Sequence, residues 1–398
     1  MQSSRRVVRL AIAGICLGMT VMIIAIAVVI GFQQEIKNKV NGFASHLQLV
    51  GYTMISSYQT SPIKKNNELF EDVKKTKGVR HVQGFAYKPG MMKVGNENHG
   101  VMLKGVGSDF DWSFFENNKV EGTRIAIDST TSNDVWISRK LAGMMQLKIG
   151  DDFRTYFLNE GARIPRMRQF TIAGIYSTGL EEFDKTFVLA DLRQVQRLNN
   201  WSETEISGYE IFVENRNVIE ETELELYRLI MPILEEERPA FQIINTYDRY
   251  PQIFDWLNML DMNVWILLIL VLLVAGFNMI SGLLVIILEH TAMIGALRAM
   301  GASHANIRKI FLYLSLFLTG KGLFWGNILG IGICLLQSYF GIIHLDPTSY
   351  YMTTVPISLS FSRIVLLNIG ALFVIFLMLT GPSFVVSRIS PDRTVRFD

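Results

Sequence analysis

Val264–Leu288 reads VWILLILVLLVAGFNMISGLLVIIL, 25 residues without one charged side chain. About 20 apolar residues in a helix cross the ~30 Å hydrocarbon core of a bilayer, so this run is too long and too uniformly apolar for a soluble core. Three more runs share its character: Leu10–Ile30 behind Arg5, Arg6 and Arg9, Ile310–Phe340 interrupted only by Lys321, and Ile364–Val386. Four membrane-spanning helices are expected. The Ala-x-Ala at Ala25–Ala27 lies inside the first run and is followed by more apolar residues. That run is therefore expected to remain as an anchor rather than to be cleaved as a signal peptide.

The composition points the same way. Of 398 residues, 49% are apolar and 19% charged, against ~25% charged in soluble chains. A disordered chain is excluded and a wholly soluble one disfavoured. Residues 32–261 hold 27 Lys/Arg against 32 Asp/Glu, so the basic excess lies elsewhere, in short pieces beside the apolar runs. Nothing there reads as a nucleic-acid surface. Both cysteines, Cys16 and Cys334, fall inside apolar runs, which excludes a disulfide framework.

Basic residues set the expected orientation. The amino-terminal tail (Arg5, Arg6, Arg9), the 289–309 loop (Arg298, Arg308, Lys309) and the carboxy-terminal tail (Arg388, Arg393, Arg396) carry three each, whereas the 341–363 loop has only Arg363. By the positive-inside rule both termini and the 289–309 loop are cytoplasmic, and 32–261 lies on the far side. The expected protein is α-helical with four transmembrane helices, plus a large α+β periplasmic domain between the first and second helices. Its parts are a tail and first helix (1–31), the domain with stalk helices at both ends (32–261), and three further helices (262–398).

Within the domain, strands are expected at 47–50, 99–106, 153–158, 169–176, 186–189 and 209–213. A helix is expected at 219–237, with Ile219, Leu226, Ile230, Ile233 and Leu234 on one face. Phe32, Ile36, Val40, Phe43 and Leu47 recur at spacings of three and four, as do Ile253, Trp256, Leu257 and Leu260. Both sets read as helical continuations of their spans into stalks, or as two ordinary helices beneath the domain.

No catalytic constellation is visible, and no metal site. The six histidines (46, 81, 99, 290, 304, 344) form no zinc-ligand spacing. Gly320-Lys321 lacks the earlier glycine and the following Ser or Thr of a phosphate loop. If ATP drives this protein, another chain hydrolyses it. Gly322, Gly326 and Gly330 repeat every four residues and offer one helix face for close packing, without naming the partner. Lys321 is a charge in the middle of an apolar run; such residues face protein or water, or else snorkel to a membrane surface or lie near one end of a tilted, overlong helix.

The chain resembles the LolC/LolE permeases of the lipoprotein-releasing ABC transporter, relatives of the MacB and FtsX proteins. The family plan of one span, a large extracytoplasmic domain and three spans is matched over the whole chain. Val274-Ala-Gly-Phe-Asn-Met-Ile-Ser281 looks like the second-span signature, and Met293-Ile-Gly-Ala-Leu-Arg-Ala-Met-Gly-Ala-Ser303 like the cytoplasmic coupling helix. Ile30-Gly-Phe-Gln-Gln-Glu35, Ile149-Gly-Asp-Asp152 and Ala173-Gly-Ile-Tyr-Ser-Thr-Gly179 resemble further family motifs. Lys321 departs from the pattern, standing where an apolar residue is expected.

The resemblance implies a permease that extracts lipoproteins from the inner membrane. Its expected partners are a LolD-like cytoplasmic ATPase holding the ATP and magnesium, a second permease (itself or a relative) and a LolA-like periplasmic carrier. It implies no cofactor in this chain. A MacB-like exporter of peptides or small molecules, or an FtsX-like transmitter of force to a cell-wall hydrolase, is the alternative. In the coupling segment, Met293, Ile294, Leu297 and Met300 would form an apolar ridge beside Arg298, ended by Gly301 in a left-handed cap. Met22, Ile26 and Val29 would face Leu267, Leu268 and Val271 around lipoprotein acyl chains, or pack as ordinary helices. The loop Leu158–Phe170, with Arg163-Ile164-Pro165-Arg166-Met167-Arg168, looks like a short version of the family's carrier hook, or is a plain basic hairpin loop.

Overall fold

A computed structural model describes residues 2–51, 61–127, 130–159, 164–215, 218–236, 241–345, 352 and 354–383. The chain divides into two compact units, one made of Met1–Glu35, Asp255–Leu345 and Thr354–Asp398, the other chiefly of Ile36–Phe254. The helices are α1 (Gln2–Ala44), α2 (Asn67–Lys75), α3 (Ser113–Asn117), α4 (Arg139–Met144), α5 (Glu181–Thr186) and α6 (Leu192–Asn199). They continue with α7 (Ile219–Glu236), α8 (Thr246–Arg249), α9 (Pro251–Glu289), α10 (Thr291–Ala299), α11 (His304–Phe340) and α12 (Phe361–Ser383). The strands are β1 (Leu47–Gly51), β2 (Ile63–Lys64), β3 (Val79–Val94), β4 (Glu97–Val106), β5 (Lys119–Gly122) and β6 (Asp134–Ser138). β7 (Asp152–Phe157), β8 (Arg166–Tyr176), β9 (Phe187–Asp191), β10 (Glu205–Ile206), β11 (Gly208–Val213) and β12 (Phe241–Asn245) complete them.

In the first unit α1, α9, α11 and α12 are long and apolar enough to cross a membrane. The 43 residues of α1 run about 65 Å at 1.5 Å each, twice the ~30 Å that a span needs. The helix therefore continues through the amphipathic stretch at Phe32, Ile36, Val40 and Phe43. Leu47, expected on the same face, instead opens β1: Ser45 at φ 62° ends the helix, and Leu47 pairs with Ile211 and Asn245. Beyond the apolar cores, the Phe32 and Trp256 rings meet edge-on at 5.6 Å and Gln33 Nε2 donates to the Leu257 carbonyl at 3.0 Å.

The second unit is built on a ten-stranded mixed sheet in the order β12-β1-β11-β3-β4-β9-β6-β8-β5, with β7 bridging β3 and β8. That bridge closes β3, β4, β9, β6, β8 and β7 into a ring, in which β4–β9 and β6–β8 run parallel and the other pairs antiparallel. A barrel of this size is filled by its own side chains. Met92, Leu103, Val135, Ile137, Phe157 and Phe170 belong to that buried core. α7 ends at Glu236, within a residue of the expected boundary.

Candidate functional site

α10 is a nine-residue helix between two apolar ones, and its apolar residues divide between two directions. Ile294 is fully buried and Leu297 half-buried, both in the core shared by α1, α9 and α11. Met293 and Met300 point outward, 44% and 76% exposed, with the exposed Ala296 between them. The single four-residue ridge expected from the sequence is thus corrected. Helical spacing serves two neighbours here, and the free ridge is Met293, Ala296 and Met300. The helix ends where Gly301 takes φ 93° and Gly301 N and Ala302 N donate to the Arg298 and Leu297 carbonyls, both at 3.0 Å. That left-handed cap satisfies orphan carbonyls. Ser303 then caps α11, its hydroxyl accepting from Asn306 N.

The glycines of α11 have a partner, the first apolar helix. A methyl group on Gly322, Gly326 or Gly330 would lie 2.8, 2.6 or 3.1 Å from Ile15, Met19 or Ile23 respectively. The backbones approach so closely that Thr20 Oγ1, bonded to Cys16 O at 2.8 Å, also reaches the Gly326 carbonyl at 3.2 Å. On another side of α11, Asn327 and Asn368 of α12 exchange amide hydrogen bonds of 2.7 and 2.9 Å. Paired amides satisfy each other where no water is at hand.

The six residues expected around an acyl cavity do not share one. Gly14 lies against Asn278, and Gly18 against Val271 and Ala275, which sets an antiparallel seam between α1 and α9. Met22 and Leu268 are buried in the core cluster along that seam, with Val271. Leu267, one residue round the helix, is 40% exposed and turned away. Ile26 lines a shallow cleft, with room for about one water, together with Ile23, Leu359, Arg363 and Leu367, on the side of α12 rather than α9. Val29 is half-buried. The difference is one of register: a residue-level pairing of two uniformly apolar helices leaves no trace in composition.

Lys321 is exposed at the middle of α11, its ammonium 4.4 Å from the centroid of Phe317. The faces of α11 that bear Gly322 and Asn327 are occupied by helices of this chain, so Lys321 is not turned into its interior. The register of Gly322 on Ile15 sets Lys321 near the start of the apolar run of α1, where its stem reaches toward the membrane surface.

In the second unit, the stretch read as a basic loop is largely strand. Arg166, Met167 and Arg168 belong to β8 and pair with Phe157, Tyr156 and Thr155 of β7. Ile164 and Pro165 precede the strand as exposed chain, Ile164 at 79%; Arg163 lies outside the described residues. Arg166 Nη1 donates to Asn200 Oδ1 at 2.6 Å and Arg168 is exposed. Register puts Met91, Tyr156 and Met167 in one row across β3, β7 and β8, with Met91 and Met167 about half exposed. The arginines of the stretch expected as a carrier hook or a basic hairpin loop thus sit at a partly apolar strand end, and residues 160–163 lie outside the described residues.

Sequence reading missed a buried ionic cluster. Lys104 Nζ of β4 lies 2.7 Å from Glu210 Oε1 of β11 and donates to the Phe43 carbonyl in the last turn of α1, also at 2.7 Å. Gln83 Nε2 donates to the other Glu210 oxygen at 2.7 Å. A lysine within an apolar strand, five residues from the nearest acid in sequence, is its only signal. Nearby in the unit, burial pushes the Asp184 carboxyl up, against hydrogen bonds from Thr178 and Gly179. Among the described residues no group of His, Cys, Asp and Glu could hold a metal ion.

Comparison with known proteins covers both units. Residues 9–225 match a family model described as MacB-like periplasmic core domain, and 265–391 one described as FtsX-like permease C-terminal. The lipoprotein-releasing system transmembrane protein LolC of Neisseria meningitidis serogroup B is 24% identical, over 98% of this chain and 93% of that one. LolC of Xylella fastidiosa strain 9a5c is 22% identical over the same shares. The lipoprotein-releasing system transmembrane protein LolE of Haemophilus influenzae is 19% identical, over 96% and 92%.

Proposed function

Because this chain belongs to the MacB/FtsX superfamily, among its LolC/LolE-like members, we propose that it is the transmembrane permease of an ABC transporter that releases lipoproteins from the inner membrane. The mixed unit between the first and second helices is then periplasmic, and both termini and α10 are cytoplasmic. A separate ATPase chain binds ATP and magnesium, and a second permease completes the pore-forming pair. A periplasmic carrier of the LolA kind receives the lipoprotein.

The observation that carries this reading is α10. Its outer ridge of Met293, Ala296 and Met300 is apolar and exposed among the described residues. Its inner side, through Ile294, is locked into the core that holds α1, α9 and α11. An exposed apolar ridge needs a groove on another protein, and a push on it reaches every span through Ile294. No nucleotide-binding motif accompanies it in this chain, so the ridge fits a separate ATPase.

Acyl chains would enter beside α1, where Ile26 already lines a cleft, and separation of the seam at Met22, Leu268 and Val271 would enlarge that space. The Arg166–Arg168 end of β8, with Met91 and Met167 alongside, would meet the carrier. Reconstitution in proteoliposomes with the ATPase, the carrier and a triacylated lipoprotein tests the whole reading. ATP-dependent transfer to the carrier is the expected result. Retention of the lipoprotein in the bilayer, with ATP hydrolysis proceeding, would count against it.

A further inference from the structure

Within Ala173–Gly179, a stretch that reads as a family-like motif, one polar side chain has no internal task. Gly174 admits the Trp136 ring, and the Tyr176 hydroxyl donates to the Phe187 carbonyl at 2.9 Å. Thr178 Oγ1, Thr178 N and Gly179 N donate to the buried Asp184 carboxylate at 2.7, 3.3 and 3.1 Å. The Ser177 hydroxyl, by contrast, makes no hydrogen bond among the described residues. Ser177 opens into a cleft of about 470 Å³ between α4 and α5. That volume lies in the range of ligand sites.

The cleft is basic. Arg139 and Lys140, in the first turn of α4, stand on its rim. The Arg139 guanidinium is exposed and pairs with no acid among the described residues. Of the acids lining the cleft, Asp184 is already satisfied, and Glu181 is held by Lys185 at 2.6 Å against 3.5 Å to Lys140. A methyl group on Gly143 would meet nothing within 4 Å, and Met144 beside it is 42% exposed. One free and one loosely held cation, a hydroxyl and an apolar side chain suit a peptide that bears carboxylates.

Packing sets this cleft at the foot of the unit. Phe183 of α5 lies 4.7 Å from the Phe43 ring of α1 and 4.9 Å from that of Tyr250, which directly precedes α9. The charge of Lys39, also on α1, acts on Asp184. Lys39 and Phe43 lie 9 and 13 residues beyond Ile30, where the first apolar run ends. Along a helix these separations are about 13 and 20 Å. The headgroup layer extends only about 5–7 Å beyond the hydrocarbon. A bilayer phospholipid therefore stops short of this level, whereas an extended peptide leaving the membrane reaches it in about four to six residues.

We propose that the α4–α5 cleft grips the acidic, extended segment that follows a cargo's acylated terminus, with Arg139 and Lys140 on its carboxylates and Ser177 on its backbone. The site rests on the lipoprotein reading above. It adds a hold on the polypeptide while the acyl chains leave the bilayer.

The test places a photo-reactive phenylalanine analogue at Met144 of the full chain, in proteoliposomes with the ATPase, the carrier and a triacylated lipoprotein. Two cargoes differ only at about residues four to ten after the acylated one, rich in Asp in one and in Lys in the other. Irradiation before ATP is added should capture the Asp cargo within that segment, about fivefold or more over the Lys cargo. Arg139→Glu with Lys140→Glu should reverse the preference, which a loss of folding cannot do. Three results overturn the proposal alone: release of the Asp cargo without capture, capture of phospholipid or of another part of the cargo, and an unchanged preference in the charge-reversed chain. Failure of the parent chain to release either cargo overturns the lipoprotein reading, and this site with it.

Discussion

Lys104 and Glu210 hold each other at 2.7 Å with side chains 1% and 0% exposed, and the same ammonium donates to the backbone of Phe43. The last carbonyls of a helix lack intrahelical donors and carry the negative end of its dipole. A lysine ammonium placed there satisfies one of them while its charge is balanced by Glu210. The outer end of α1 is therefore fastened to β4 and β11 by one buried cation.

Removing one member of a buried pair strands the other, at a cost of about 3–5 kcal/mol, whereas replacing both by apolar residues is often neutral. Lys104→Met should lower stability by that amount, and Lys104→Met with Glu210→Leu should recover most of it. Denaturant unfolding of the detergent-solubilised chain, followed by tryptophan fluorescence, measures both. Equal losses in the single and double variants would show that the pair is not what fastens α1.

Met300→Asp places a carboxylate on the free ridge of α10 and should weaken ATPase binding by tenfold or more, about 1.4 kcal/mol, with the fold intact. Ile294→Asp should instead unfold the membrane unit, because Ile294 is fully buried. ATPase co-purification and thermal midpoints separate the two effects. Normal ATPase binding by Met300→Asp would remove α10 from the coupling role.

Gly326→Val would drive a branched side chain into Met19 and the Cys16 carbonyl, 2.6 and 2.8 Å from where its Cβ must go. Overpacking of this kind costs about 1–3 kcal/mol. Gly332→Val, on a face with nothing within 4 Å, is the control and should leave the midpoint unchanged. Thermal denaturation in one detergent compares them.

Arg166→Ala with Arg168→Ala should slow carrier association several-fold at low salt and little at high salt, since steering by exposed charge is screened. Stopped-flow mixing of the chain with carrier at two ionic strengths reads the rates. Identical salt dependence in the variant and the parent chain would separate the arginines from carrier docking.

Glu116 lies 2.6 Å from Arg124 Nε and 2.9 Å from Lys119 Nζ, and these contacts, Arg124 first, hold its carboxyl below the usual range. The folded chain thus binds this proton less tightly than the unfolded one. The resulting stability is complete above the ordinary glutamate value of about 4.3 and fades as pH falls through the depressed one. Glu116→Gln should lower the thermal midpoint at neutral pH, and the difference should shrink as pH falls through the depressed value. A difference independent of pH would assign the loss to packing.

The spans were legible because lipid tolerates so little polarity that composition alone marks them. The ring of strands was not. β3 contains Gly84, Pro89 and Gly90, which read as breaks, yet Pro89 pairs with Met102 of β4 and the strand runs on for 16 residues. Closure depends on β7 joining β3 to β8, a contact between segments about 60 to 75 residues apart that no local pattern announces. At Arg166–Gln169 every side chain is exposed, so the alternation that signals a strand is missing. In α10 the periodicity was plain, but it could not say which apolar residues faced inward.

Closure of that ring has a consequence for what can attach to the unit by its backbone. A strand flanked on both sides keeps no free row of N–H and C=O groups, so along its paired length the ring cannot be lengthened by an incoming chain. Among the described residues, the ends of the large sheet fall on β5 and β12, four and five residues long. An added strand would find at most a few hydrogen bonds there. Strand addition is a common route to both peptide capture and aggregation. A unit that offers so little edge must grip any partner through side chains, and it resists being zipped onto another chain.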